Sequence, residues 1–101
     1  FITGDFNSSE TVSASSPYKI LKSAKFFDSE DLTPKSKQIN ATISSFHGYR
    51  GLVSSGEHID HVYVNPENRI DLTSYKIVTD SPNGVYPSDH LPVVIKANIT
   101  Y

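Results

Sequence analysis

The second half of the chain is cut into short apolar runs by turn residues, and this punctuation limits the fold more than any other feature. His58 to Val64 carries Ile59, Val62, Tyr63 and Val64 and stops at Asn65-Pro66-Glu67-Asn68. Ile70 to Asp80 holds Ile77 and Val78 and stops at Ser81-Pro82-Asn83-Gly84. Leu91 to Tyr101 follows, with Val93, Val94, Ile95 and Ile99. β-Branched and aromatic side chains suit a pleated, half-buried surface. Pro, Asn and Gly clusters set the dihedrals that reverse a chain. Short runs joined by tight turns predict a mostly antiparallel sheet. Ala41 to Phe46 reads as a further β segment, with Gly48, Gly51 and Gly56 punctuating an exposed loop after it.

The first half reads differently. Ser8 to Ser16 is serine-rich and predicts a surface loop. Ser16-Pro17 is a helix start, Ser as N-cap and Pro at the first helical position. Tyr18, Leu21 and Lys22, extended by Ile20 and Ala24, predict a short helix over 17–25. Residues 28–40 are polar and predict a loop, in which Asp28-Ser29-Glu30-Asp31 is able to cap a turn. The expectation is an α+β domain with few short helices, one sheet face of which requires a cover.

A chain of 101 residues is one small domain, spanning 1–101, with a modest core. Cysteine is absent, so disulfides contribute nothing. No apolar run approaches the roughly 20 residues needed to span a bilayer, so no transmembrane segment is expected. The net charge of −2 lacks the basic footprint that dominates nucleic-acid affinity. That weighs against a simple nucleic-acid-binding module. It leaves a nuclease open, because a bound metal and a partner segment can supply positive charge. The chain begins on Phe1-Ile2-Thr3-Gly4-Asp5, which reads as a strand end running into a loop, and the expectation is an excerpt of a longer protein.

Three motifs carry residues suited to phosphate chemistry. Gly4-Asp5-Phe6-Asn7 puts a carboxylate and an amide where a strand stops. The carboxylate can orient or deprotonate a water, and the amide can donate to a phosphate oxygen. Taken alone, Asp and Asn there are also ordinary turn formers. Ile59-Asp60-His61-Val62-Tyr63-Val64 places a carboxylate in an apolar strand, where it needs a cation, a metal or water. Pro87-Ser88-Asp89-His90-Leu91-Pro92-Val93 sets adjacent Asp and His before a strand. Imidazole is a phosphate donor or general acid–base near neutral pH, and Asp89 is an oxygen ligand suited to Mg²⁺ or Mn²⁺. Here too a local backbone cap is the plainer alternative.

Together the motifs resemble the endonuclease/exonuclease/phosphatase superfamily, whose members carry Gly-Asp-Phe/Leu-Asn, then Ile/Leu-Asp-Tyr/His-Ile/Val, then Ser-Asp-His-x-Pro-Val. All three stand here in that order, at Gly4 to Asn7, Ile59 to Val64 and Ser88 to Val93. One four-residue match is weak; three in order, covering nearly the whole chain, are specific. The resemblance implies the C-terminal half of a four-layer α/β/β/α sandwich like that of pancreatic deoxyribonuclease. It implies a metal-dependent phosphoester hydrolase, a phosphodiesterase, nuclease or phosphatase, that uses Mg²⁺ or Mn²⁺ and in-line attack of activated water. The substrate is a phosphate ester, with nucleic acid, lipid and sugar phosphate all open. It also implies that an N-terminal half bearing a metal-binding Glu lies outside this chain, so that the chain alone is inactive.

The roles implied by the resemblance are these. Asp5, Asn7, Asp60 and His90 are catalytic: Asp5 activates water, Asn7 holds the scissile phosphate, His90 stabilises developing charge, and Asp60 orients His90. Asp89 and Asp5 serve the metal. His47, in Ser45-Phe46-His47-Gly48-Tyr49, lies where some bacterial members also carry Phe-His-Gly, which implies substrate contact; a surface histidine is the alternative. His58 and His61 read as structural or exposed, and His61 stands where many relatives have Tyr. The competing reading of the whole chain is a non-catalytic β-sheet interaction module that binds through strand edges. The intact quartet Asp5, Asn7, Asp60 and His90 argues for the enzyme.

Overall fold

In a computed structural model, residues 1–9, 16–54 and 57–100 are described. Most of the serine-rich segment, and Gly56, lie outside the described residues. The chain forms β1 (Ile2–Asp5), α1 (Pro17–Ser23), β2 (Phe27–Asp28), α2 (Ser29–Leu32), β3 (Gln38–Ile39), β4 (Asp60–Val64), β5 (Ile70–Ile77) and β6 (Val93–Ile99). Two three-stranded sheets result, ordered β1-β4-β2 and β3-β5-β6. All pairings are antiparallel except β3 with β5. The expected α+β architecture, mostly antiparallel with few short helices, is what is observed.

Helix α1 starts as expected. Ser16 is its N-cap, accepting the Lys19 N–H, and Pro17 opens the first turn. Its apolar stripe is thinner than the spacing suggests, because Ile20 is 55% exposed. The tight turns after β4 and β5 close as single 3-10 turns at Pro66–Asn68 and Pro82–Gly84.

Two expectations fail for local reasons. The polar stretch 28–40 is not all loop: Asp28 caps the four-residue helix α2 by accepting the Glu30 N–H at 3.1 Å. The Gln38 side-chain amide then donates to the carbonyls of Glu30 and Thr33, satisfying helix-end acceptors. Conversely, Ala41 to Phe46 is not a strand. Asn40 takes a left-handed conformation (φ 58) directly after β3 and breaks it. The Ile43 N–H closes a turn onto Asn40, and the Ser44 and Ser45 side chains bond backbone in place of a ladder. Only Phe46 pairs, as an isolated bridge to His90.

One core cluster lies on the second sheet, while Tyr63 and Val64 are buried in the first. Tyr75, Ile77 and Leu91 are buried in that cluster, packed by Ala41, Ile43, Tyr86, Val93 and Ile95. Leu91 is the residue after His90, so burying it ties the third motif to the core. Asn40 adds a long-range tie, donating from its side-chain amide to the Ile77 carbonyl at 3.1 Å.

Candidate functional site

Strand pairing does the first part of the assembly. In the antiparallel register of β1 and β4, Asp5 lies opposite Asp60, so the first two motifs meet although 55 positions separate them. Residues directly opposite in such a pair share a sheet face. The bridge between Phe46 and His90 brings in the third motif. Phe46 also lays its ring beside the imidazole, centroids 5.1 Å apart.

The resulting geometry is specific. His90 Nδ1 lies 2.8 Å from Asp60 Oδ2. On the other side of the ring, His90 Nε2 is 3.8 Å from Asp5 Oδ2 and 3.9 Å from Asp89 Oδ1, both beyond hydrogen-bond reach. The hydrogen bond and the charge of Asp60, aided by Asp5 and Asp89, raise the His90 pKa above its ordinary 6.5 against partial desolvation. Asp60 therefore fixes the ring with Nδ1–H toward itself, as the carboxylate behind the imidazole of a Ser-His-Asp triad does. A cleft of about 360 Å³ opens here, lined by Asp5, Asp60, Ser88, His90 and Val93 among others.

Asp5 divides its oxygens. Oδ1 accepts the Asn7 N–H at 2.8 Å in a local turn, and Oδ2 faces His90. The turn-former reading of this motif and the site reading thus hold together. Asn7 itself is exposed and left-handed (φ 50), and it is not among the residues lining the cleft.

Asp89 is placed partly through its backbone. Its carbonyl accepts the N–H groups of His47 and Gly48 at 2.9 and 3.2 Å, which locks the third motif to the Phe46-His47-Gly48 segment. Gly48 is left-handed (φ +58), and a Cβ there would meet the Phe46 ring at 3.3 Å, so glycine serves this turn on two counts. The donor atoms that gather within 4.8 Å are those of Asp5, Asp60 and His90. This differs from the expected metal pair of Asp89 and Asp5: Asp60 is close, but it is already bonded to His90, and Asp89 stands slightly farther out with 46% of its side chain exposed.

His47 is neither exposed nor on the cleft. Its side chain is fully buried, Nδ1 accepts the Tyr49 N–H at 3.0 Å, and its ring lies 4.6 Å from that of Tyr86. Its Nε2 is buried without a hydrogen-bond partner among the described residues. The alternative of a surface histidine is overturned, and the substrate contact implied by the resemblance finds His47 buried away from the cleft: the left-handed turn at Gly48 and Tyr49 folds the loop back over the ring.

His58 and His61 are structural, and neither is exposed. His61 Nδ1 bonds Asp28 Oδ2 at 2.7 Å and Nε2 donates to the Ser8 carbonyl at 2.7 Å. His58 Nδ1 lies 3.0 Å from Glu30 Oε1 and 3.1 Å from the Tyr75 hydroxyl, and Nε2 bonds the Ile43 carbonyl at 2.9 Å. Burial alone would lower the His58 pKa, but the Glu30 hydrogen bond and charge outweigh it and the net shift is upward. Asp28 and Glu30 were not singled out as partners in the sequence; the one available signal is an acid directly after the aromatic pair Phe26-Phe27. A groove of about 640 Å³ lies beside these histidines, larger than the site cleft, but it does not include His90 or Asp60. Its wall residues Ser9 and Glu57 adjoin segments outside the described residues, and no ligand is assigned to it.

No protein-family model matches the chain, and no curated protein matches it. Among solved structures, it is similar to the crystal structure of a functionally unknown conserved protein from Enterococcus faecalis V583. The TM-score is 0.68 at 26% identity, covering 97% of this chain and 35% of that one. The chain thus spans about a third of the length of that protein. No helix among the described residues is long and apolar enough to cross a membrane.

Proposed function

We propose that this chain carries the water-activating and histidine-bearing part of a metal-dependent phosphoester hydrolase of the endonuclease/exonuclease/phosphatase superfamily. The observation that carries the reading is the state of the His90 ring. One nitrogen is fixed by Asp60 at 2.8 Å, while the other faces the cleft with no hydrogen bond among the described residues, flanked by two carboxylates. A residue that must donate to a substrate oxygen requires that arrangement, whereas His61 and His58 spend both ring nitrogens inside the protein.

The donor set suits a hard cation. Asp5 Oδ2 and Asp89 Oδ1 both lie within 4 Å of one point, His90 Nε2, and both side chains reach solvent. Mg²⁺ is usually held by one or two carboxylates together with waters and substrate phosphate, and Mn²⁺ accepts similar oxygen ligands. Asp5 and Asp89 would hold such an ion, which when bound offsets phosphate charge and polarises the P–O bond. The protein's own part is separate. His90, its ring oriented by the bond from Nδ1 to Asp60, donates from Nε2 to a phosphate oxygen. Asp5 orients the attacking water with the oxygen not used in the local turn. Asn7, exposed two residues after Asp5, is the residue whose amide would meet the phosphate.

The test is steady-state hydrolysis of bis-nitrophenyl phosphate with Mg²⁺ or Mn²⁺ by the natural full-length polypeptide that contains this chain. His90→Ala should lower kcat by about 10²–10³-fold, as loss of a preorganised donor does. Asp5→Asn should lower it by about 10²–10⁴-fold, as loss of acid–base help does. In both, KM should change much less. Near-wild-type kcat in both, with circular dichroism unchanged, sinks the reading.

A further inference from the structure

The Asp60–His90 pair is held from behind by one residue outside all three motifs. Ser45 is fully buried. Its hydroxyl oxygen accepts the Ile59 N–H at 2.9 Å and the Asp60 N–H at 3.3 Å. Its carbonyl accepts the Leu91 N–H at 2.7 Å, and its own N–H donates to the Glu57 carbonyl at 3.2 Å. Three polar groups of one residue therefore reach the segment before β4, the first residue of β4, and the residue after His90.

The reason a side chain is needed here lies in the sheet. Strand β4 is flanked by β1 along Asp60–Tyr63 but by β2 only at Tyr63 and Val64. At Asp60 the β2 side of the strand has no ladder partner among the described residues. The Ser45 hydroxyl supplies the missing acceptor, while Phe6 N–H takes the Ile59 carbonyl at 2.9 Å on the β1 side. Buried backbone donors must be satisfied, so this hydroxyl fixes where β4 begins and hence where the Asp60 carboxylate points. Through its carbonyl the same residue sets the backbone beside His90.

We infer that Ser45 is the positioning residue that fixes Asp60 against His90, its hydroxyl holding one partner and its carbonyl the other. This rests on reading Asp60 and His90 as a working pair. Ser45 touches neither substrate nor the reacting atoms. It acts through the alignment of the hydrogen bond.

The direct readout is the His90 ring Nδ1–H proton, followed by NMR in ¹⁵N-histidine-labelled, metal-free protein. In the wild type it should give a downfield, exchange-protected signal from its 2.8 Å bond to Asp60. Ser45→Ala should shift that signal upfield and speed its exchange, and Ser45→Thr, which keeps the hydroxyl, should restore it. Thr33→Ala is the control for loss of any buried hydroxyl: Thr33 donates to the Ser29 carbonyl at 2.8 Å, far from the pair in the hydrogen-bond network. It should lower the melting temperature and leave the His90 signal in place. In turnover, Ser45→Ala should lower kcat by about 10–100-fold, the range seen when a partner that orients a site group is lost, with KM little changed. If Ser45→Ala does not fold, Ser45→Cys, with its weaker acceptor, should give an intermediate shift. An unmoved His90 signal in the folded Ser45 variant, or an equal shift in Thr33→Ala, overturns the inference. A shifted signal in Ser45→Ala beside undiminished turnover in His90→Ala overturns the hydrolase reading and leaves the positioning standing.

Discussion

Three hydrogen-bonded imidazole–carboxylate pairs occupy two regions among the described residues, and distance alone does not tell them apart. Behind β4, His61–Asp28 and His58–Glu30 are 2.7 and 3.0 Å long; at the cleft, His90–Asp60 is 2.8 Å. Burial of the imidazole and the use of its second nitrogen separate them. The side chains of His61 and His58 are 1% and 2% exposed and that of His90 is 27%, whereas the carboxylates Glu30 and Asp60 are alike at 21% and 19%. In His61 and His58 the second nitrogen is spent on the carbonyls of Ser8 and Ile43. In His90 it faces the cleft. The same chemical pair therefore bolts elements together in one place and leaves an imidazole nitrogen open to the cleft in the other.

That contrast predicts opposite phenotypes. The largest effect on stability should come from Asp28→Ala. Asp28 both caps α2 and holds His61, and breaking a buried pair by removing one partner typically costs about 3–5 kcal/mol. Urea denaturation should show this as a large drop in midpoint. His90→Ala, by contrast, should leave that midpoint nearly unchanged while removing turnover. A His90→Ala variant that unfolds as readily as Asp28→Ala would erase the distinction between the regions.

His61→Tyr sharpens it further. The resemblance to relatives with Tyr at this position suggests a mild change. The structure points to a larger one, because a phenol offers one O–H where the imidazole meets both Asp28 and the Ser8 carbonyl. Leaving a buried acceptor unsatisfied costs about 1–3 kcal/mol, so the melting temperature should fall while kcat, measured below the transition, stays near wild type.

The smallest effect is the pH dependence. The native His58 pKa is raised above 6.5, chiefly because Glu30 outweighs burial. A raised pKa means the folded state holds the proton more tightly. The pair's contribution is then fully present below the unfolded value and lost as pH rises through the native one. Urea midpoints should decline as pH rises from the unfolded value of 6.5 through the higher native one, and Glu30→Gln should flatten the part of the slope that His58 supplies. His90, shifted in the same direction by Asp60, adds to the decline with the same sign.

Much of the site was legible because its residues sit in contiguous motifs whose chemistry is local. A carboxylate in the apolar strand 59–64 demands a partner, and an Asp-His step before the last strand offers one. The α1 cap and the two tight turns were legible for the same reason. Hydrogen bonds between distant segments were not. Asp28 and Glu30 read as ordinary capping acids, since nothing local marks their partners more than 25 positions away at His61 and His58. Ala41 to Phe46 misled because its β-branched residues favour a strand, while Asn40 and the hydroxyls of Ser44 and Ser45 give the backbone other partners. His47 misled because burial of a glycine-flanked loop depends on what folds over it.

The central claim is that Asp60 and His90 act as one unit in phosphoester hydrolysis. The measurement that meets it most directly is a double-mutant cycle on kcat, using Asp60→Asn, His90→Ala and the double variant in the natural full-length polypeptide with Mg²⁺ or Mn²⁺. Residues that share one interaction are non-additive. Each single change should lower kcat sharply, and the double variant should be no slower than His90→Ala alone. Losses that multiply would show two independent contributions and contradict the account.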